Sequence, residues 1–355
     1  MKNFKTIVTS SAIMVGSLAL VSCGSTSTEA EAPVETMTET EAETEVEAET
    51  EEIVEVEEPT TVEITDIHGT VEVPINPEVV VALDNRSYET LEDWGIELAA
   101  APKGVMPDDL SYVTDESVQD IGSHREPNLE IIAAVQPDLV IVGQRFAGYY
   151  DAIKEIVPES TVIDLNLDVS EEAEDPGENL VSGFVHNTTV LGQIFDKEDE
   201  ANALIGEFEA SIDEVKEAYN GEDVIMSVIV SGGNIGFSAP GYGRVWGPLY
   251  NIFGFVPALG VDGSTTDHQG DEISIEAIAE SNPDWIFVLD RDAGVSSEDS
   301  LPAEDIINGS PALQNTTAII DGNILYAPND TYTNESIQTF TELFNSIADA
   351  FNNKN

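Results

Sequence analysis

Asp199 to Tyr219 reads DEANALIGEFEASIDEVKEAY, with apolar residues at Ala201, Leu204, Ile205, Phe208, Ile212, Val215 and Tyr219. A three-and-four spacing of this kind lines one face of a helix. Glu207, Glu209, Asp213, Glu214, Lys216 and Glu217 fill the other faces, as expected of a helix with one side in water. Asp196 or Asp199 can cap its start, and Asn220-Gly221 supplies a left-handed stop. At 1.5 Å per residue the helix spans roughly 30 Å. The segments on either side read alike, with strands alternating with helices over similar lengths. The expectation is an α/β protein of two Rossmann-like lobes joined by a single long helix that acts as a strut. Its ranges are an N-terminal lobe at 61–195, the bridging helix at 196–221 and a C-terminal lobe at 222–355. The alternative, a crossover helix inside one large sheet, fits less well because each half holds enough strands for its own core.

Moving outward, the first half begins with a hairpin over Val62–Val73 that turns at His68-Gly69, then a buried strand at Val79–Leu83. A helix over Ser87–Trp94, a short strand at Leu98–Ala101 and a helix over Leu129–Val135 follow. Leu139 to Val142 contains no polar residue, which suits a parallel strand covered on both faces. A helix over Tyr149–Ile156 and a strand over Thr161–Leu165 complete the half. The second half predicts a strand at Val224–Val230 and helices at Val245–Phe253 and Ile273–Glu280. Strands at Trp285–Leu289 and Ile319–Tyr326 and a closing helix at Ile337–Phe351 complete it. Ile131–Val142 and Ile275–Leu289 share a helix-Pro-Asp-strand pattern, a weak internal repeat that points to two similar lobes.

The N-terminal end is of another kind. Lys2 and Lys5 precede an apolar run from Ile7 to Val21, which marks residues 1–22 as an export signal, too short for a membrane span. Leu20-Val21-Ser22-Cys23-Gly24 resembles the lipobox of bacterial lipoproteins, and the resemblance implies acylation of Cys23. Cys23 is the single cysteine of the chain, so no intramolecular disulfide can form. Residues 24–60 hold 14 glutamates and no basic residue. Such a segment cannot bury a core, and 23–60 reads as an acidic, disordered tether. A solvated helix over part of it is the alternative.

The chain carries a formal charge of −58. Subtracting the tether's 14 acids from 70, and Lys2 and Lys5 from the 12 basic residues, leaves 56 acidic against 10 basic, or −46. A surface of this sign repels nucleic acid and anionic lipid. Catalytic patterns are also missing, with no Gly-x-Ser-x-Gly elbow, His-Glu-x-x-His or phosphate-binding Gly-Lys-Ser. A binding protein is expected rather than an enzyme, without an intrinsic cofactor.

In open α/β sheets ligands sit beyond the carboxyl ends of the strands, so the loops after strands are the ones to inspect. The chain has five arginines, and three follow strand ends or open a helix in loops of this kind. Arg145 follows Leu139–Val142, Arg291 follows Trp285–Leu289, and Arg244 sits in the glycine-rich Gly241-Tyr242-Gly243-Arg244 before a helix. Taken singly, each is explained by an ion pair with one of many carboxylates. Taken together, they point to a shared anion, for which fork-shaped and permanently charged guanidiniums are suited. His268 and Tyr332 lie in polar loops, where ordinary hydrogen bonding is the simpler reading. Imidazole and phenolate are also a sound donor pair for Fe³⁺. His68 falls in a hairpin turn, His124 in a loop and His186 on a helix surface.

The stretches Gly122–Glu130, Gln136–Gly143, Leu191–Glu198 and Asn282–Arg291 resemble the siderophore-type substrate-binding proteins of ABC importers, over about residues 61–352. The resemblance implies the helical-backbone (class III) fold and an extracytoplasmic, lipid-anchored receptor that passes a ferric siderophore to an importer permease. A monomer is implied. Arg145, Arg244 and Arg291 match positions at which ferric-catecholate binders carry arginines. His268 and Tyr332 match the loops that supply iron donors in some members. Asp330-Thr331-Tyr332-Thr333 departs from the family in lacking aromatic and glycine neighbours. A haem or cobalamin receptor on the same fold is the nearest alternative, although neither ligand needs three arginines. A surface esterase acting on siderophores would need a nucleophile-base pair, which the sequence lacks. An adhesin would explain the tether but not the arginines.

Overall fold

The computed structural model describes residues 59–261, 263–295 and 300–354. The readings placed on the signal segment, Cys23 and nearly all of the tether fall outside these residues. A two-stranded antiparallel hairpin opens the fold, β1 (Thr61–Asp66) with β2 (Gly69–Pro74). Gly69 adopts a φ of 126°, a value open only to glycine, and closes the turn.

The first half carries a five-stranded parallel sheet. Its strands are β3 (Val80–Leu83), β4 (Ala100–Ala101), β5 (Gln119–Asp120), β6 (Leu139–Val142) and β7 (Thr161–Asp164), in the order β5-β4-β3-β6-β7. All residues of β3 and β6 are buried, as the unbroken apolar runs predict. The second half carries β8 (Val224–Ser231), β9 (Asn234–Phe237), β10 (Val256–Pro257), β11 (Trp285–Asp290) and β12 (Ile324–Tyr326). Here β10-β8-β11-β12 run parallel and β9 pairs antiparallel with β8.

The internal repeat is visible in detail. Helices Leu129–Val135 and Ile275–Ser281 are each capped by a side chain, Asn128 and Ser274. Each ends on a left-handed residue, Gln136 at φ 49° and Asn282 at φ 46°. Each is followed by Pro-Asp, and the aspartate accepts a backbone N–H at the start of the neighbouring strand. Asp138 accepts from Glu78 and Val79, and Asp284 accepts from Val224.

Two sequence expectations need correction. The helix predicted as the strut exists, at Glu198–Ala218, but Phe208, Ile212 and Val215 all pack into the C-terminal core. The helix that enters both cores is Pro176–Phe195. Its Leu180 and Phe184 join the C-terminal core, and its Val190, Leu191, Ile194 and Phe195 join the N-terminal one. Asp196, in the left-handed region at φ 53°, ends this helix and turns the next one back beside it. A Cβ on Gly192 would lie 2.7 Å from that of Ala201, so only glycine allows this approach. Spacing identified a buried face at 201–219 but could not say which core that face meets. The second correction is the strand expected over Ile319–Tyr326. Thr317–Asp321 is instead a short helix capped by Thr316 and stopped at Gly322, which leaves only Ile324–Tyr326 extended.

Candidate ligand-binding site

The strand ends of the two halves place their loops around one cleft of about 530 Å³. Arg145 lies on the tight turn Gln144–Tyr149 directly after β6. Arg291 opens a short helix after β11, with Asp290 accepting from the Ala293 N–H at its start. Arg244 sits in a loop held by close backbone packing, since a Cβ on Gly243 would lie 2.3 Å from the Ala239 nitrogen. His268 reaches the cleft from the polar loop before Ile275–Ser281, and Tyr332 from the loop after β12. All five sequence-predicted residues are therefore brought together.

The three arginines share Tyr332 as a partner. Arg145 Nη2 and Arg244 Nη2 both donate to its carbonyl, at 3.1 and 2.9 Å. Arg291 Nε donates to its hydroxyl at 3.2 Å. The three guanidinium carbons lie 5.9, 4.4 and 5.3 Å from the ring centroid, within cation–π range. Tyr332 is only 4 % exposed, so the ring acts as a hub beneath the arginines, whereas His268 stands at the exposed edge.

Like charges this close need a counter-charge. Glu335, buried near the cleft, accepts from Arg86 at 3.2 Å and Gln144 at 2.8 Å, and pairs with Arg244. Burial raises its pKa, but Arg244 and Arg86 outweigh burial and hold the carboxyl below its usual range. Asp84, at the end of β3, behaves in the opposite way: burial dominates and its pKa is pushed up to about 7. Gly143 makes room for it, since a Cβ there would sit 2.2 Å from Asp84 Oδ1. Arg145 titrates below its ordinary value because it is desolvated and lies beside Arg244.

Sequence reading missed four participants. His124 and Arg125 line the cleft, from a loop singled out only for its resemblance. Burial and the surrounding cations, Arg145 foremost, depress the His124 pKa. Arg86 and Glu335 form the buried ion pair between the halves. The available signal was scarcity: all five arginines of a −58 chain line this cleft or pair with its buried acid.

A walled cleft between the two sheets, with permanent cations converging on it, is chemically suited to a small anionic ligand. The chain belongs to the periplasmic binding protein family, whose model matches residues 80–331. It is 29% identical over 290 residues to the petrobactin-binding protein YclQ of Bacillus subtilis, covering 80% of this chain and 85% of that protein. It is 27% identical over 257 residues to the ferric-anguibactin-binding protein FatB of Vibrio anguillarum, covering 72% and 76%. The crystal structure of the periplasmic catecholate-siderophore-binding protein VctP of Vibrio cholerae shares the fold. It has a TM-score of 0.68 at 24% identity, covering 81% of this chain and 99% of that one.

Proposed function

We propose that this protein is an extracytoplasmic receptor that binds a ferric siderophore of the catecholate type and delivers it to an ABC importer permease. One observation carries the reading: Arg125, Arg145, Arg244 and Arg291 line one cleft of a strongly acidic chain. A tris-catecholate iron complex is a trianion with oxygen edges, and guanidinium forks complement both features. In this reading Arg145, Arg244 and Arg291 bind the ligand. His268 and the Tyr332 hydroxyl donate to iron only where the siderophore leaves positions open, as a bis-catecholate does. Residues 1–22 direct export, Cys23 carries the lipid, and 23–60 tethers the folded part to the outer face of the cell membrane. No chemical step is assigned to the protein.

Titrating ferric tris- and bis-catecholates while following intrinsic fluorescence tests the reading. His268→Ala and Tyr332→Phe are expected to weaken only the bis-catecholate. Equal loss for both ligands would make them packing residues, and no binding of either ligand would overturn the reading. For the anchor, Cys23→Ala is expected to release the protein from the detergent phase in which the wild type partitions.

A further inference from the structure

Arg244 stands between two spaces. On one side is the cleft, and on the other a hollow of about 310 Å³ between the halves. The polar end of this hollow is made by Arg86, Gln144, Arg244 and Glu335. Its walls are apolar, with Leu167, Val169 and Leu180 on one side and Val245, Pro248 and Phe340 on the other.

We propose that this hollow is a second binding subsite, for a carboxylate that bears a hydrogen-bond donor on the adjacent carbon and is carried on a short apolar chain. The Arg86 side chain is 4 % exposed, and its Nη2 donates to Glu335. Its Nε and Nη1 are buried and meet no protein acceptor, nor does the Nε of Arg244. Two guanidiniums share one carboxylate, so this end holds an excess positive charge. Asp168 lines the same hollow, but it is exposed and its Oδ1 is taken by Ser170. Buried donors with excess positive charge select an anionic acceptor.

Gln144 refines the match. Its Nε2 donates to Glu335, which as a carboxylate only accepts, so the amide orientation is set. Its Oε1 is left buried and without a protein donor. An α-hydroxyl or α-amide N–H on the bound acid satisfies that oxygen while the carboxylate meets Arg86. The walls then take the alkyl part.

This inference does not rest on the iron reading, and its primary titration uses no iron. The mature protein is titrated with α-hydroxyhexanoate, with hexanoate and hexylammonium as controls, by calorimetry. Expected is binding of the hydroxy acid, about tenfold weaker binding of hexanoate, and none of hexylammonium. Val169→Trp, which fills the hollow from its rim, and Arg86→Gln should each weaken the hydroxy acid at least about tenfold. Val169→Trp should leave ferric tris-catecholate binding intact, and Arg291→Ala should leave hydroxy-acid binding intact. Hydroxy-acid binding that survives Val169→Trp but is lost in Arg291→Ala would place it in the cleft and overturn the proposal, as would no binding at all. Two sources of the group are distinguishable. Competition with a ferric catecholate that carries such an acid supports an arm of the same ligand, and simultaneous binding supports a separate small acid.

Discussion

The two helix-Pro-Asp-strand units, Leu129–Val142 and Ile275–Asp290, share capping, left-handed termination and a strand-capping aspartate, yet they diverge one residue past the strand. In the first, Gly143 lets Asp84 pack against the backbone and Arg145 follows on a tight turn. In the second, Asp290 caps a helical turn that begins with Arg291. The frame is duplicated and the chemistry is not. Backbone satisfaction imposes the same solution wherever a helix must return to a parallel strand. Loops beyond the strand end escape that constraint and are free to carry function.

This comparison can be broken in several ways. The largest effect is expected at the buried charge joining the halves. Glu335→Ala leaves Arg86 buried without its partner and should cost about 3–5 kcal/mol of stability, read from urea unfolding. A loss below about 1 kcal/mol would show that water reaches Arg86 and that the halves are not pinned there.

Next come the strand-end arginines. Hydrogen bonds to charged groups contribute about 1.5–3 kcal/mol each, so Arg145→Ala, Arg244→Ala and Arg291→Ala should each weaken a ferric tris-catecholate roughly ten- to a hundredfold. If the loss is confined to the C-terminal residues Arg244 and Arg291, the first half contributes a wall rather than a share of the charge.

The duplicated frame should respond more mildly. Asp284→Ala removes one backbone cap and is expected to cost about 1 kcal/mol, with Asp138→Ala, which removes two, costing more. Thermal unfolding of both variants checks the order. A reversed order would mean that the two units are alike in shape only.

A further effect is a slope. Asp84 has a folded pKa of about 7 against an ordinary 3.8, so the folded protein holds a proton there that the unfolded chain releases. Its contribution to stability is present at low pH and declines as pH rises from about 4 to 7. Glu335, with its lowered pKa, works the other way, adding stability that is lost as pH falls. Asp84→Asn should therefore make stability rise more steeply, or fall less, across that window. An unchanged pH profile would show that Asp84 is ionised in the folded protein.

Much of this architecture was legible in the chain. The three-and-four spacing of 201–219, the turn at His68-Gly69, the helix-Pro-Asp-strand pattern and the unbroken apolar strands are local matters. The sequence by itself determined them because backbone hydrogen bonds and φ/ψ limits act over a few residues. It also placed Arg145, Arg291 and Tyr332 in loops after strands, and Arg244 and His268 in loops before helices. Tertiary structure alone decided which helix spans the two cores. Both long helices carry a buried face, and only packing assigns the faces of Pro176–Phe195 to two cores and that of Glu198–Ala218 to one. It also decided that Arg86 and Glu335, 249 residues apart, would share one buried charge pair. Neither lies in a pattern that a linear reading can find, because a desolvated ion pair exists only once folding has removed the water from both partners.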